Sequence, residues 1–233
     1  MEEISIIIPV FNEEESLPSL LQELHSFLQN LPYQWEVIVV DDGSTDNTSI
    51  ILNNYPWIKI VRHLSRQGYG SAVKDGIRTA KYEYICFMDG DYAHSPDLIF
   101  QGLTRMGCLD IIIGARDEKG ENFPLSQKLA RYLISGILTL VFRKKIKDIN
   151  SGFRIAKKEK LIQYLNILPD GFSFSASLTL LVLLEKLKFN YFPIKINKRK
   201  GHSKLKTTTY IFQFVKCLYL TQFRWLRTKI ASL

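Results

Sequence analysis

The 233-residue sequence lacks the motifs that identify several common classes of enzyme. No Gly-x-Gly-x-x-Gly follows the first predicted strand and no Gly-Lys-Ser or Gly-Lys-Thr occurs, which argues against a dinucleotide-binding Rossmann site and against a P-loop. The four histidines are dispersed, and neither a Ser-His-Asp nor a Cys-His arrangement is evident. The sequence therefore gives no sign of nucleophilic catalysis of the protease or esterase type.

Cysteine is scarce, and its spacing argues against a disulfide framework and against a zinc site. Cys86, Cys108 and Cys217 are odd in number, far apart and set mostly in apolar sequence. This pattern fits neither a disulfide framework nor a zinc site, and it predicts buried thiols in a reducing compartment. Residues 1–3 also lack the basic charge that precedes the apolar part of a secretory signal. We expect a chain that stays in the cytoplasm.

Acidic residues are absent after Glu185. Residues 186–233 hold 12 of the 31 Lys and Arg residues and none of the 23 Asp and Glu residues, which leaves 19 basic and 23 acidic residues in 1–185. The net charge of +8 is therefore a property of the C-terminal part. Such asymmetry predicts contact with an anionic surface, either nucleic acid or membrane phosphate, and the alternative is a solvated basic face without a partner.

A long uncharged apolar run is missing as well. The segment from Tyr210 to Trp225 is mostly aromatic and aliphatic, but Lys216 interrupts it, so it falls short of the roughly 18 apolar residues that suggest a spanning helix. We predict a globular domain over 1–206 and, over 207–233, an amphipathic helix lying in the plane of an anionic membrane. A helix of the core or of an oligomer interface is the competing interpretation.

What the sequence does contain is an alternation of strand and helix signals. Buried-strand patterns alternate with helical spacing of apolar residues, which predicts an α/β fold with a mostly parallel central sheet flanked by helices. The predicted strands are 4–10, 35–40, 58–61, 84–88, 109–114 and 189–196, and the predicted helices are 17–28, 48–54, 68–80, 96–106, 125–142 and 172–187.

Carboxylates follow three of these strands. Asp89 and Asp91 come directly after strand 84–88, Asp41 and Asp42 end strand 35–40, and Glu13 follows the first strand. Two adjacent carboxylates repel each other, and a hard cation such as Mg²⁺ together with a phosphate ligand would relieve that repulsion. Asp-Gly-Asp can also be a plain turn. Because the carboxyl ends of parallel strands share one edge, we favour a common site for a metal and a nucleotide.

Five motifs together resemble a family 2 glycosyltransferase of the GT-A fold, and their order is most similar to dolichol- and polyprenyl-phosphate sugar synthases. The resemblance covers 3–206. The motifs are Ser5-Ile6-Ile7-Ile8-Pro9-Val10-Phe11-Asn12-Glu13-Glu14, Val39-Val40-Asp41-Asp42-Gly43-Ser44-Thr45-Asp46, Gly68-Tyr69-Gly70-Ser71-Ala72, Met88-Asp89-Gly90-Asp91 and Asn150-Ser151-Gly152-Phe153-Arg154.

The resemblance implies an inverting, metal-dependent transfer of a sugar from a GDP- or UDP-linked donor to a polyprenyl phosphate at the inner face of a membrane. It implies Mg²⁺ or Mn²⁺ bound by Asp89 and Asp91. It also implies a basic loop near Ser203 and Lys204 that closes over the donor. The residues expected to bind the donor are Pro9, Phe11, Glu13, Val40, Asp42, Gly90, Arg154, Ser203 and Lys204, and those expected at the reacting phosphates are Asp89, Asp91, Arg116, Arg131 and Asp148.

Two residues depart from the family pattern. Phe11 stands where these synthases commonly have Tyr, so a stacking face remains but a hydroxyl contact is lost. Ala93 stands where close relatives have a metal-binding Gln, which leaves that ligand to water or to another group.

Three alternatives remain open at this level. Transfer to a sugar hydroxyl, with Asp117 or Asp148 as base, would belong to polysaccharide or glycolipid synthesis. A nucleotide-sugar-binding or nucleic-acid-binding protein whose basic tail meets RNA is disfavoured, because the tail has no RNP or KH signature and the acidic edge would repel a polyanion. The sequence also leaves open whether the chain forms a homo-oligomer or binds a membrane partner.

Overall fold

The computed structural model describes residues 3–116, 132, 135–136 and 138–197. Seven strands and six helices are assigned bounds within these residues. The strands are β1 (Glu3–Val10), β2 (Gln34–Asp41), β3 (Lys59–Arg62), β4 (Tyr84–Phe87), β5 (Ile111–Arg116), β6 (Arg154–Lys157) and β7 (Phe189–Ile194), and the helices are α1 (Leu17–Leu28), α2 (Thr48–Leu52), α3 (Tyr69–Thr79), α4 (Asp97–Leu103), α5 (Lys158–Ile162) and α6 (Phe174–Leu184).

The seven strands form one sheet in the order β3-β2-β1-β4-β6-β5-β7. The pairs β1–β2, β1–β4, β2–β3 and β5–β7 are parallel. β6 lies antiparallel between β4 and β5, so the other six strands share one direction. The prediction of an α/β fold with a mostly parallel sheet is confirmed.

Two elements were missing from the sequence prediction. Strand β6 and the short helix α5 that follows it occupy residues left unassigned. The other predicted elements are present within the described residues, with ends displaced by one to three residues at most positions; the largest differences are at helix 96–106, observed as Asp97–Leu103, and at helix 172–187, observed as Phe174–Leu184. Of the predicted helix 125–142, residues 132, 135–136 and 138–142 are described, and all of them are helical.

The apolar residues of the strands are buried on both faces of the sheet. Ile4, Ile6 and Ile8 of β1 pack in a core with the leucines of α1 and with α4. Ile7 points the other way, into a core shared with α3 and α6. Helices thus cover both faces, which explains why β1 is a continuous apolar run rather than an alternating one.

The direction of the chain reverses across the sheet at β1. From β1 the chain proceeds to β2 and β3 on one side, and it then returns through α3 to β4 on the other side of β1. In open parallel sheets, a crevice forms at the carboxyl ends of the two strands that flank such a switch point. Here the two strands are β1 and β4, and the segments that follow them are 11–16 and 88–94.

None of the helices within the described residues combines the length and the hydropathy that crossing a bilayer requires.

Candidate active site

The loop after β4 carries two carboxylates and lies against the end of β1. A Cβ placed on Gly90 would come within 2.6 Å of Val10 Cγ1, so the close approach of this loop to β1 depends on glycine. The Ser16 hydroxyl donates to the Gly90 carbonyl at 3.0 Å, and Asp91 Oδ1 accepts the Ala93 N–H at 3.0 Å. The loop is therefore held to β1 and to the start of α1, and Asp91 is oriented by its own backbone.

His94 and Gly152 enclose Asp89. The Asp89 N–H donates to Nδ1 of His94 at 3.4 Å, and a Cβ on Gly152 would lie 2.2 Å from Asp89 Oδ2. His94 is buried, and burial lowers its pKa although the neighbouring charges of Asp89 and Asp91 act in the opposite direction. A neutral imidazole with an accepting Nδ1 agrees with this hydrogen bond.

The Asp89 and Asp91 carboxylates fit a divalent cation that takes its other ligands from outside the described residues. Asp89 and Asp91 are hard oxygen ligands of the kind that Mg²⁺ and Mn²⁺ accept. Within the described residues, no group of three His, Cys, Asp or Glu residues is arranged to hold a metal. A cation bound here would therefore complete its coordination with phosphate oxygens and water, as Mg²⁺ sites commonly do.

Asp42 is surrounded by hydrogen-bond donors of the segment that joins β3 to α3. Its Oδ1 accepts from the Gln67 N–H at 2.8 Å and faces Nδ1 of His63 at 2.7 Å, and its Oδ2 accepts from the Gly68 N–H at 2.8 Å. Nε2 of His63 faces Asp75 at 3.0 Å. These contacts fasten the loop that leads into α3, so Asp42 organises this side of the crevice.

Tyr69 connects Asp42 with Asp89. It follows Gly68, which is bonded to Asp42, and its own hydroxyl lies 3.3 Å from Asp89 Oδ1. Burial, followed by the charge of Asp89, raises the pKa of Tyr69 well above its usual value, so the hydroxyl keeps its proton and donates. Asp42, after β2, and Asp89, after β4, thus contact two consecutive residues at the start of α3, Gly68 and Tyr69.

Arg116 and Asp148 form a two-point ion pair at the end of β5. Arg116 Nε and Nη2 donate to Asp148 Oδ2 and Oδ1 at 2.6 and 2.9 Å. Such a fork is a strong charge-assisted contact, and it leaves Asp148 poorly suited to accept a proton from a substrate. The structure therefore does not favour Asp148 as a general base.

Phe11 and Glu13 occupy the segment between β1 and α1. The Arg66 guanidinium stands 4.1 Å from the centre of the Phe11 ring, a cation–π contact. The Glu13 carboxylate lies 2.9 Å from Ser16 Oγ and competes with the Gly90 carbonyl for its single proton, and the Glu13 N–H donates to Thr48 Oγ1 at 2.8 Å. The segments that follow β1 and β2 are thereby joined, with Phe11 at their edge.

Three of the residues expected to bind the donor lie in the interior. The Val40 side chain belongs to the core beneath α3, Pro9 is buried beside Val40 in the sheet, and Arg154 is 1% exposed. Arg154 donates to Ser151 O, Ile149 O, Ser175 O and Thr179 Oγ1 at 2.8–3.0 Å. The side chains of Val40 and Arg154 thus make their contacts within the protein, and donor binding by these two residues stays a prediction.

The sequence prediction missed three residues that contact Asp42 or Asp89, and a fourth residue that anchors the loop after β4 to Glu23 of α1. These are His63, Tyr69, Tyr92 and His94. For His94 a signal was available, because it follows Asp91 by three residues within the same loop, whereas the role of His63 depends on the pairing of β2 with β3. Arg131, Ser203, Lys204, Asp117 and the tail 207–233 lie outside the described residues.

The comparison with known proteins places the chain in a family. Residues 5–165 match the model of glycosyl transferase family 2, and the chain belongs to this family. The resemblance drawn from the five motifs is confirmed.

Curated relatives carry more specific names. The chain is 33% identical over 226 residues to the dolichol-phosphate mannosyltransferase of Pyrococcus furiosus, an alignment that covers 93% of this chain and 62% of the relative. It is 29% identical over 160 residues to the dodecaprenyl-phosphate galacturonate synthase of Rhizobium johnstonii, covering 66% of this chain and 47% of that protein. The chain thus spans about half to three fifths of the length of these two relatives.

Among solved structures, the fold is similar to that of glucosyl-3-phosphoglycerate synthase from Mycobacterium tuberculosis, crystallised with Mn²⁺, uridine diphosphate and glucosyl-3-phosphoglycerate. The TM-score is 0.75 at 17% identity, and the superposition covers 94% of this chain and 80% of the other. The same enzyme has been crystallised with Mg²⁺ and uridine diphosphate, with a TM-score of 0.73 at 18% identity, covering 94% of this chain and 79% of the other.

Proposed function

We propose that the chain is a metal-dependent, inverting glycosyltransferase that moves a sugar from a nucleotide-sugar donor to a polyprenyl phosphate. The observation that carries the proposal is the position of Asp89 and Asp91 at the β1–β4 switch point, with Asp42 and Arg116–Asp148 on either side. The names of the curated relatives support the acceptor class. The ligands of the structural neighbours support a divalent metal and a uridine donor, although a GDP-linked donor remains an equal candidate.

The donor's diphosphate is expected beside Asp89 and Asp91. Mg²⁺ or Mn²⁺ held there would offset the negative charge that develops on the leaving nucleoside diphosphate. Gly152 leaves the space that the Asp89 carboxylate occupies, and Tyr69 donates to it. Phe11 offers a ring face to the base, and Glu13 and Asp42 stand at the ends of the neighbouring strands.

The acceptor phosphate is expected near Arg116. Asp148 holds the Arg116 guanidinium in a fixed orientation, which suits an arginine that positions a phosphate in line with the anomeric carbon. A phosphate oxygen is already anionic and needs no strong base. This agrees with an Asp148 carboxylate that is engaged by Arg116, and it favours a phosphate acceptor over a sugar hydroxyl.

Further parts of the proposal rest on the sequence. Arg131, Ser203 and Lys204 would contact the phosphates, and the basic segment 207–233 would lie on an anionic membrane surface at its cytoplasmic side, beyond the catalytic domain 1–206. Liposome flotation of the intact chain and of a chain ending at Thr207 tests the membrane part. Equal recovery of both in the lipid layer would contradict it.

The activity is tested with radiolabelled UDP- and GDP-sugars, short-chain polyprenyl phosphate and Mn²⁺ or Mg²⁺. The expected product is a lipid-phosphate sugar that mild acid releases, formed with one donor and abolished by a chelator. Asp91→Asn is expected to remove activity, because this residue is placed at the diphosphate. Transfer to a saccharide instead of the lipid phosphate, or full activity of Asp91→Asn, would overturn the proposal.

A further inference from the structure

The loop that carries Asp91 contains a backbone conformation that side chains rarely adopt. Tyr92 has a φ of +64°, in the left-handed region, although it is neither glycine nor asparagine. For a bulky residue this conformation is unfavourable and persists only where the surroundings determine it. The path of the chain from Asp91 to Ala93 depends on this left-handed conformation of Tyr92.

The surroundings of Tyr92 supply the necessary restraint from helix α1. The Tyr92 hydroxyl donates to Oε2 of Glu23, which lies in the middle of α1. The Tyr92 ring packs at the border of the core that contains the leucines of this helix. Together with the Ser16–Gly90 contact, the Tyr92 side chain thus ties the loop that carries Asp91 to α1.

Another contact holds the same loop to the segment that follows β7. The Ala93 carbonyl accepts the N–H of Asn197, just beyond β7, at 3.0 Å. The Ala93 N–H is used by Asp91 Oδ1. Both backbone groups of Ala93 are therefore engaged, and a movement of the backbone of residues 91–93 would disturb the Tyr92–Glu23 contact or the Asn197 contact.

From this geometry we infer that Tyr92 and Glu23 are a positioning pair for the Asp91 carboxylate. The pair acts through the loop and touches no reacting atom. It stabilises the left-handed turn at Tyr92 and so orients Asp91 before any cation or donor binds. The part of the inference that concerns metal binding rests on the proposed function, whereas the part that concerns the order of the loop does not.

The first experiment measures hydrogen exchange of residues 89–94 in the metal-free protein. Tyr92→Phe and Glu23→Ala are each expected to increase exchange in this peptide, because each removes the same hydrogen bond. The double variant is expected to match either single one, since the two residues act as a unit. Glu23→Gln keeps an acceptor oxygen and is expected to retain most of the protection.

The matched control is Tyr164→Phe. Tyr164 is also hydrogen bonded to a glutamate, Glu185, but on the side of the sheet that carries α5 and α6. This variant removes the same type of contact without touching the loop. Unchanged exchange at 89–94 in both Tyr92→Phe and Glu23→Ala would overturn the positioning role whatever the reaction of the enzyme.

The second experiment titrates Mn²⁺ into the protein with UDP and, separately, with GDP, and it follows free Mn²⁺ by electron paramagnetic resonance. Tyr92→Phe is expected to weaken Mn²⁺ binding by roughly 10-fold, the usual effect of losing a partner that orients a metal ligand. Tyr164→Phe is expected to leave it unchanged. Equal Mn²⁺ affinity of Tyr92→Phe and wild type would refute the effect on Asp91, whereas a wild type that binds no Mn²⁺ with either nucleotide would refute the proposed function and leave the exchange result standing.

Discussion

Gly152 limits the space around the Asp89 carboxylate. A Cβ at this position would lie 2.2 Å from Oδ2 and 2.8 Å from the two other atoms of the carboxylate group, so an alanine has to displace Asp89. We expect Gly152→Ala to weaken Mn²⁺ binding in the presence of a nucleoside diphosphate by roughly 10-fold or more, with an overpacking cost of about 1–3 kcal/mol in stability. Mn²⁺ titration and urea unfolding measure the two effects.

Gly171→Ala is the matched control for that substitution. A Cβ on Gly171 would meet nothing within 4 Å, and the residue lies in the loop that precedes α6. We expect its Mn²⁺ affinity to equal that of wild type. If Gly152→Ala bound Mn²⁺ as tightly as Gly171→Ala, Asp89 would not be a metal ligand in the observed conformation.

The buried His94 makes stability depend on pH. Burial lowers the pKa of His94, so the unfolded chain binds this proton more readily than the folded one. The stabilisation is complete above the ordinary imidazole pKa of about 6.5 and is lost as pH falls below it. We expect the urea midpoint of wild type to drop between about pH 7.5 and about pH 5.5, and that of His94→Gln to drop less. His25→Gln, which alters a half-exposed histidine, should keep the wild-type drop, and an identical drop in His94→Gln would contradict the assignment.

The polar residues of the site could be predicted from the sequence where the motif itself carries them. Asp89 and Asp91 follow a strand that is apolar throughout, and Asp42 follows another, so the edge at which they lie is set by the parallel sheet. His63 and Tyr69 carry no such signal. Their contacts with Asp42 and Asp89 arise from the path of the segment between β3 and α3, which depends on tertiary packing.

At the scale of elements, Arg154 joins β6 to α6. Its guanidinium donates to Ser175 O and Thr179 Oγ1 of α6 and to two carbonyls of the loop that precedes β6. Replacing it by Met leaves these carbonyl groups buried with fewer donors, at roughly 1–3 kcal/mol for each unsatisfied group. We therefore expect Arg154→Met to lower the free energy of unfolding of the ligand-free protein by roughly 3 kcal/mol or more, measured by urea denaturation.

Arg78→Met provides the comparison for the Arg154 variant. Arg78 is paired with Asp75 on the exposed side of α3. Exposed pairs contribute little, so its loss should cost under about 1 kcal/mol. Similar stabilities of the two variants would show that the Arg154 hydrogen bonds between β6 and α6 do not stabilise the fold.

Strand β6 shows why an element can be invisible in the sequence. Its four residues, Arg-Ile-Ala-Lys, have no strand periodicity, and two of them are charged. They become a strand because β4 and β5 leave a gap that an antiparallel segment fills. β1 and the second half of β2, in contrast, are runs rich in buried β-branched residues, and their prediction required no knowledge of their neighbours.

At the scale of the whole molecule, the sheet order explains how distant segments form one site. β2, β1 and β4 are neighbours, so the acids that follow them lie at one edge although up to 78 positions separate them in the chain, as between Glu13 and Asp91. That β2, β1 and β4 are neighbours follows from the rule for crossovers between parallel strands, whereas the contacts between the loops that follow them do not. Unfolding of β1, β2 or β4 should therefore also disrupt the site.

The reactivity of the Cys86 thiol measures how often the central strands of the sheet open. It lies in β4 between β1 and β6 with 0% exposure, and burial raises the pKa of its thiol, so it stays protonated and inaccessible in the folded protein. Cys108 is exposed. We expect iodoacetamide at neutral pH to modify Cys108 rapidly and Cys86 only when the sheet opens, because central strands are exposed only by global unfolding.

A variant with Cys108→Ser and Cys217→Ser leaves Cys86 as the single thiol, and mass spectrometry follows its alkylation. A ligand that binds only the folded state at about 100 times its Kd adds about 2.7 kcal/mol, so Mn²⁺ with the correct sugar nucleotide should slow alkylation roughly 100-fold. In the Asp91→Asn background the same mixture should slow it little, because the carboxylate expected to hold the cation is gone. Fast alkylation of Cys86 without ligand would mean that β4 opens locally, and equal protection in both backgrounds would separate donor binding from the loop that carries Asp91.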